Sequence, residues 1–129
     1  MDVREINPLV LAFLGDSIYE VYIRKYLINR GIANVNDLQT ESINYVSAKS
    51  QAGLLKKMMD EEFFVEEEID VIKRARNSKS KSHPKNCDIV TYKHATAFEA
   101  LIGYLYLGKE IDRLEYIVKE GIKIVEKHM

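Results

Sequence analysis

Asp16 is the first candidate for chemistry, because it stands in the middle of a long apolar stretch. It follows Gly15 in NPLVLAFLGDSIYEVYIRKYLINRG, which runs from Asn7 to Gly31. Helical steps of three and four from Asp16 meet mostly apolar side chains, namely Leu9, Ala12, Phe13, Tyr19, Ile23 and Leu27. A buried carboxylate must be paired, bound to a cation or protonated, since an unpaired buried charge is costly. An aspartate that caps a loop or pairs with an arginine in the core would explain the pattern as well.

Glu99 is the second candidate, at the centre of an apolar stretch from Thr91 to Leu107. Each acid has a glycine nearby, Gly15 or Gly103, although glycine destabilises the middle of a helix by about 1 kcal/mol relative to alanine. Such a local cost beside an acid indicates a site. Two apolar helices must both pack centrally in a small domain, and if their acidic faces meet, Asp16 and Glu99 are neighbours.

Two neighbouring carboxylates repel each other unless a cation or a proton lies between them. They share a divalent metal, share a proton, or each pair with a base elsewhere. Mg²⁺ prefers oxygen ligands and is often bound through one or two carboxylates together with phosphate oxygens of a substrate. His83, His94 and His128 do not have the spacing of a zinc site. The acids therefore suggest metal-assisted phosphoryl chemistry, in which the metal activates water and stabilises negative charge.

The segment 73–85 is the most basic part of the chain and supports a phosphate-containing substrate. It holds six of the 19 lysines and arginines and no acid. Because the formal net charge is −1, any attraction for nucleic acid must come from such local clustering. A solvated loop is the alternative, and Lys49 in the small-residue stretch VSAKSQAG is either a further contact or simply exposed. The candidate phosphate-binding residues are Lys49, Arg74, Arg76, Asn77, Lys79, Lys81 and Lys85.

Helical periodicity dominates all 129 residues and predicts an all-α fold, with 1–129 forming a single domain. The second helix is predicted to begin at a capping box of Asn36 and Gln39, with a break near 40–42. Acids at 66–68 and bases at 73–76 suit the dipole of the third helix, so no function is assigned to those acids. The predicted helices cover about 8–30, 36–60, 65–77, 91–107 and 111–127.

The cysteine count and the N-terminal residues limit the classes of protein that fit this sequence. The single cysteine, Cys87, excludes a disulfide framework within the chain and a cysteine-based metal site. The start MDVREINP does not resemble a signal peptide, and no apolar run is long enough to cross a bilayer. A cytoplasmic protein without membrane association is therefore expected.

The two acidic stretches resemble a known family. FLGDSIYEVYIRKYL at 13–27 is similar to the signature helix of the ribonuclease III catalytic domain, and TAFEALIGYLYL at 96–107 is similar to its second acidic helix. The similarity covers nearly the whole chain and includes VSAKSQA at 46–52 and KRARNSKS at 73–80. It is closest to the bacterial Mini-ribonuclease III branch, which consists of this domain without a double-stranded-RNA-binding domain.

The resemblance implies an all-helical homodimer that cuts double-stranded RNA with Mg²⁺ and leaves 5′-phosphate and 3′-hydroxyl ends, each subunit cutting one strand. The implied substrate is the base-paired ends of the 23S ribosomal RNA precursor, with RNA shape or a ribosomal protein as helper setting specificity. Asp16 and Glu99 match the catalytic, metal-binding acids of the family. Phe13 matches an aromatic residue that packs against the partner subunit, although an aromatic would also suit a plain core.

Three positions depart from full-length ribonuclease III. Leu9 and Ala12 stand where its signature has acids, and Thr96 stands where its second motif has an aspartate. With fewer carboxylates, we expect more water on the metal and weaker binding. Thr96 would orient a water on the metal through its hydroxyl, and Glu20, one turn after the signature aspartate, would support the ligands from behind.

Two other functions compete with an endonuclease. One is a non-catalytic RNA-binding or ribosome-associated protein of the same fold, and the other is a helical interaction protein without a role on RNA. The presence of both Asp16 and Glu99 argues against the first, because a pure binding protein has little use for buried acids. The second would show no salt-dependent duplex binding, whereas phosphate contacts weaken as salt rises.

Overall fold

The computed structural model describes residues 1–78, 85 and 87–129, and this part of the protein is all-α, as predicted. None of its helices is long and apolar enough to cross a membrane. The first α-helix and the last three α-helices agree with the predicted ranges to within two residues. After a 3₁₀ turn at Val3–Glu5, the helices are α1 (Pro8–Asn29), α2 (Val35–Val46), α3 (Ala48–Asp60), α4 (Glu66–Arg76), α5 (Ile89–Leu107) and α6 (Ile111–Lys127).

Local sequence signals set both ends of α1. The Asn7 side chain accepts a hydrogen bond from the Leu9 N–H at 2.8 Å, and Pro8 occupies the first turn, where its missing N–H costs nothing. Gly31 follows the helix with φ of 94°, the left-handed conformation that commonly ends helices. Such caps are typical of Asn before a helix and of Gly after one, and they place Asp16 near the middle of α1.

The start of α2 differs from its prediction. Asn34 is the cap, not Asn36, and the helix begins at Val35. The Asn34 side chain accepts the Asp37 N–H at 2.9 Å, and its amide donates to the Asp37 carboxylate at 2.8 Å. Asn34 therefore makes two hydrogen bonds to Asp37. This favours a cap at Asn34 over the predicted cap at Asn36, whose partner would be Gln39.

The break between the second and third helices lies at Ser47, rather than near 40–42. The hydroxyls of Thr40 and Ser42 donate to backbone carbonyls of their own helix at 3.0 and 2.9 Å, so both residues are accommodated inside α2. The Ser47 side chain instead accepts the Ser50 N–H at 3.2 Å and caps α3. The break therefore lies where a serine hydroxyl can accept a hydrogen bond from a free backbone N–H at the start of α3.

α5 is the central helix of the core, in contact with α1, α3, α4 and α6. Nine of its residues between Ala95 and Leu105 are buried, as its apolar composition predicts. Burying one large apolar side chain of this kind, such as Leu101, contributes about 1.5–3 kcal/mol. α6 covers the core with the stripe that its sequence predicts, namely Leu114, Ile117, Val118, Ile122 and Val125.

α1 packs on the core with one face only, although a helix with apolar residues on nearly every side is expected to be buried all round; that expectation is wrong. Its buried stripe recurs every four positions and comprises Leu11, Gly15, Tyr19, Ile23 and Leu27, with Ala12 beside it. The other side carries apolar side chains that are at least 36% exposed, namely Leu9, Val10, Phe13, Val21 and Ile28. Apolar composition cannot distinguish a face buried in the core from one that a second protein would cover.

Candidate active site at the α1–α5 crossing

Two glycines bring α1 and α5 into backbone contact. A Cβ atom on Gly15 would overlap the carbonyl oxygen of Glu99 and lie 2.7 Å from its carbonyl carbon. A Cβ atom on Gly103 would likewise overlap the carbonyl oxygen of Leu11. The contacts join residue 15 to 99 and residue 11 to 103, so the two helices run antiparallel. Gly15 thus serves packing, and this packing brings the backbone of α5 beside Asp16.

The crossing brings the side chains of Asp16 and Glu99 into hydrogen-bond contact, which confirms that the two acids are neighbours. A helix turns by about 100° per residue, so Asp16 lies at the edge of the buried stripe that contains Gly15. Asp16 is therefore exposed, and its predicted apolar burial is wrong, whereas Glu99 is half-buried. One acid faces solvent and the other is held against the core.

The environment of Glu99 favours its protonated form. Burial first, and then the hydrogen bond and the negative charge of Asp16, raise the pKa of the Glu99 carboxyl to about 8. The charge of Glu20 acts in the same direction, and a hydrogen bond from the Gln51 side chain acts in the opposite direction. Below that pKa the pair shares one proton, and a cation could take its place.

This donor set fits Mg²⁺, which is commonly bound through one or two carboxylates and keeps several waters. Asp16 and Glu99 offer carboxylate oxygens at a solvent-accessible edge, and burial together with the charge of Asp16 raises the pKa of Glu99, so a cation there would compensate a charge that the fold does not. Within residues 1–78, 85 and 87–129, no three His, Cys, Asp or Glu side chains are grouped to hold a metal. The remaining positions around such an ion would therefore belong to water and substrate.

A family model described as Ribonuclease III domain matches residues 9–110, a range that contains both acids. The chain belongs to the ribonuclease III family. It is 52% identical over 120 residues to a Mini-ribonuclease 3 of Brevibacillus brevis, covering 93% of this chain and 88% of that protein. It is 44% identical over 126 residues to a Mini-ribonuclease 3 of Streptococcus pneumoniae, covering 98% of each.

A solved structure extends the similarity to three dimensions. The crystal structure of a protein from Fusobacterium nucleatum has a TM-score of 0.82 to this chain at 39% identity, with 95% of this chain and 96% of that one covered. The resemblance that the two acidic stretches indicated is therefore confirmed, as is the ribonuclease III fold. This ribonuclease III family member is an endoribonuclease of the Mini-ribonuclease 3 branch.

Two further predicted site residues lie one helical turn from the acids. Thr96 precedes Glu99 in α5 and is 8% exposed. Glu20 follows Asp16 in α1, is half-buried, and forms an ion pair with Arg24 at 3.2 Å. Because its charge acts on Glu99, Glu20 lies near the acid pair. Both placements are compatible with the supporting roles, which stay predictions.

The basic residues between α4 and α5 are only partly described. Arg76 ends α4, Asn77 caps it, and Lys85 is exposed. Lys79 and Lys81, also predicted to bind RNA, lie outside the described residues. The segment leads directly into α5, whose acid lies ten residues, or about 15 Å, along the helix axis from its start.

Arg74 has a structural partner. One of its guanidinium nitrogens donates to the backbone carbonyl of Arg4 at 3.1 Å, which ties the 3₁₀ turn at Val3–Glu5 to α4. The side chain is half-buried. A phosphate contact by Arg74 would have to use its remaining N–H groups, which an arginine has in excess.

Lys49 lies on a different surface from the acid pair. It is exposed in the first turn of α3 and lines a groove together with Ile124 of α6 and His128, which follows that helix. Two residues further on, Gln51 lies close enough to Glu99 to lower the pKa of its carboxyl. Two residues correspond to about 200° of helical rotation, so Lys49 points away from the acids. An RNA contact at Lys49 would therefore be remote from the cleaved bond.

Glu68, in the acidic first turn of α4, is a structural acid. Glu68 is 3% exposed, and its carboxylate accepts hydrogen bonds from Nε and Nη2 of Arg113, both at 2.8 Å. The Val65 N–H donates to it at 3.0 Å. A signal was available, because helical steps from Glu68 meet the buried Val71 and Ile72.

Proposed function

We propose that this ribonuclease III family member cleaves double-stranded RNA in a Mg²⁺-dependent hydrolysis that leaves 5′-phosphate and 3′-hydroxyl ends. Residues 1–129 would act as one catalytic domain. The observation that carries the proposal is the hydrogen-bonded pair of Asp16 and Glu99 at the α1–α5 crossing. Mg²⁺ held by these two carboxylates would activate water and stabilise negative charge on the phosphate.

The two helices give the acids different tasks. Asp16 is exposed, so a phosphate of the RNA backbone can approach its carboxylate. Glu99 is anchored on the central helix of the core, where the backbone is fixed by the contact with Gly15. Metal ligands on packed helices keep their geometry better than metal ligands on loops. The pair is therefore suited to hold a cation in one position while RNA enters from the solvent side.

Replacing Asp16 by asparagine tests the proposal. The Asp16→Asn change keeps the side-chain size but removes the charge, so we expect cleavage of long duplex RNA with Mg²⁺ to slow by at least about 1,000-fold. Helix content by circular dichroism and the Tm should stay at the wild-type values, because Asp16 is exposed. Asp60→Asn, an exposed acid at the end of α3, is the matched control and should cleave normally.

Either of two results would count against an Asp16-dependent nuclease. One is a folded Asp16→Asn protein that cleaves at the wild-type rate. The other is a wild-type protein that binds duplex RNA in a salt-dependent way without cutting it, which would favour the non-catalytic RNA-binding alternative.

The exposed apolar face of α1 supports a homodimer. Phe13, one turn before Asp16, is 83% exposed, and Val10 and Val21 on the same side are 56% and 64% exposed. A second copy of the chain would cover this face and place two acid pairs in one assembly, one for each strand. We expect Phe13→Lys to sediment as a monomer with unchanged helix content. Val35→Lys, at a residue 65% exposed on α2, is the control and should leave the dimer intact.

The basic segment supports binding of the duplex through its phosphates, since A-form RNA is recognised mainly through phosphates and 2′-hydroxyls. We expect Arg76→Ala combined with Lys85→Ala to raise the KM for duplex RNA several-fold without changing kcat, whereas Lys119→Ala on α6 should change neither. A kcat that falls alone would contradict a pure binding role. The residues proposed for RNA contact are Lys49, Arg74, Arg76, Asn77, Lys79, Lys81 and Lys85.

The similarity to Mini-ribonuclease 3 proteins supports the precursor of 23S ribosomal RNA as the substrate. Because phosphate contacts carry little sequence information, RNA shape or a ribosomal protein would select the cleavage position. A transcript with the base-paired ends of that precursor should be cut at defined positions. An unrelated duplex of equal length that is cut equally well and as selectively would contradict this choice of substrate.

A further inference from the structure

Gln51 is a buried amide in the first turns of α3, and it is 1% exposed. Its Nε2 donates to the carbonyl of Val46, the last residue of α2, at 2.9 Å. This bond orients the amide, because exchanging its nitrogen and oxygen would set two acceptor oxygens against each other. The side chain therefore has a defined direction across the junction of α2 and α3.

The junction itself is held by further hydrogen bonds. Ser47 caps α3, and the Ser50 hydroxyl donates to the Asn44 carbonyl at 2.6 Å. Carbonyls at the end of α2 that have no partner inside the helix are satisfied in this way. Gln51 thus extends from a backbone that is fixed independently of its own side chain.

The amide oxygen of Gln51 is the notable atom. It is inaccessible to solvent, and no hydrogen-bond donor reaches it from the described part of the chain. Buried amide oxygens are normally paired with protein or with ordered water, because an unpaired one is destabilising. On a side chain that acts on Glu99, such an unpaired oxygen points to a donor supplied by a ligand of the acid site rather than by the core.

Gln51 also reaches the acid pair directly. α3 packs against α5, and the Gln51 amide lies close enough to the Glu99 carboxyl to favour its charged form. This contact lowers the pKa of Glu99, in opposition to burial and to Asp16, and so favours the carboxylate form. The amide has two N–H donors, which is enough for both Val46 and Glu99.

We propose that Gln51 is a positioning residue of the active site: when the site holds its cation, the N–H groups of Gln51 link the Glu99 carboxylate to the Val46 carbonyl, and the amide oxygen accepts a hydrogen bond from a donor that enters with the ligands of the site. The inference rests on the proposed function, since it assigns Gln51 to the same cation-binding pair. A third helix thereby orients a site whose acids come from α1 and α5. Partners of this kind typically change metal affinity about 10–100-fold when removed.

Gln51→Met tests the role, because methionine has a similar length but neither amide donors nor an amide oxygen. By isothermal titration of the RNA-free protein with MgCl₂, we expect the Kd to rise about 10-fold. On duplex RNA, kcat should fall about 10-fold at a fixed, subsaturating Mg²⁺ concentration, while the KM for RNA stays within about 2-fold. Ser50→Ala is the matched control: it weakens the same junction without touching the amide, so it should lower the Tm but leave the Mg²⁺ Kd unchanged.

The outcomes separate the two proposals. If Gln51→Met lowers the Tm like Ser50→Ala but binds Mg²⁺ as the wild type does, Gln51 is only structural and the inference is overturned. Should Gln51→Met not fold, Gln51→Asn serves instead, since its amide is one methylene too short to reach both Val46 and Glu99. A wild-type protein that neither binds Mg²⁺ nor cleaves duplex RNA would overturn the proposed function, and the inference with it.

Discussion

Two glutamates of this protein occupy opposite electrostatic situations. Glu68 on α4 is 3% exposed, and Arg113 meets it with two hydrogen bonds of 2.8 Å. The Arg113 guanidinium also lies 4.9 Å from the centre of the Phe63 ring. Glu99 on α5 is half-buried, and the side chain that it meets is another acid, Asp16.

The difference shows how to separate a structural acid from a functional one. The pKa of Arg113 is raised by its hydrogen bond to Glu68, as expected for charges that stabilise each other. The pKa of Glu99 is raised to about 8 because burial and Asp16 disfavour its charge. A carboxylate whose charge is compensated by the fold stabilises the fold, whereas one opposed by a second carboxylate is ready for a cation.

The largest expected effect comes from replacing each of the two glutamates, Glu99 and Glu68, by glutamine. Glu99→Gln should lower the rate of duplex cleavage by at least about 1,000-fold, because a proposed metal ligand is lost. Its free energy of unfolding should not fall, since glutamine relieves the repulsion with Asp16. Glu68→Gln should show the reverse, with lower stability in urea and a wild-type kcat at a temperature where it is folded. Equal behaviour of the two variants would refute the distinction.

A smaller effect is expected from removing the cation of the structural pair. Breaking a buried ion pair from one side costs about 3–5 kcal/mol, and Arg113 is 27% exposed, so Arg113→Met should lower the free energy of unfolding by about 2–3 kcal/mol. Urea denaturation measures this change. The double variant Glu68→Met/Arg113→Met should recover much of the loss, because no unpaired charge remains. If it is as unstable as Arg113→Met, packing rather than charge pairing explains the effect.

The smallest effect is a pH dependence that Glu99 imposes without a cation. Unfolded, Glu99 releases its proton near pH 4.5, whereas in the folded chain it keeps the proton up to about pH 8. The folded state then binds more protons in this window, so stability should fall as pH rises from about 4.5 to 8. Urea midpoints in EDTA at pH 5.5 and 8 measure the fall.

A comparison of the wild type with Glu99→Gln isolates the contribution of Glu99 to the pH dependence of stability. The variant lacks the titrating group, so its midpoint should fall less than that of the wild type over the same pH range. Adding Mg²⁺ at pH 8 should raise the midpoint of the wild type and not that of the variant. Identical pH profiles for the two proteins would exclude Glu99 as the source.

Local signals in the sequence determined most of the helices and singled out Asp16 and Glu99 as the candidate acids. The caps at Asn7 and Gly31 act over one turn, so the ends of α1 could be predicted without knowing its neighbours. The apolar surroundings of Asp16 and Glu99 and the similarity of both stretches to one family were likewise visible in the chain. Competing local caps explain the errors at α2, since several Asn and Ser residues in 34–50 could each start a helix.

Only the tertiary structure decided which apolar faces are buried and which polar groups meet. The exposed face of α1 has the same composition as a buried one, and nothing in its periodicity shows that the core lies on one side only. Gly15 is required because the α5 backbone occupies the space of a side chain. The contacts of Glu68 with Arg113 and of Gln51 with Glu99 join residues that are 45 and 48 positions apart. Such pairs depend on how helices pack, which no single helix encodes.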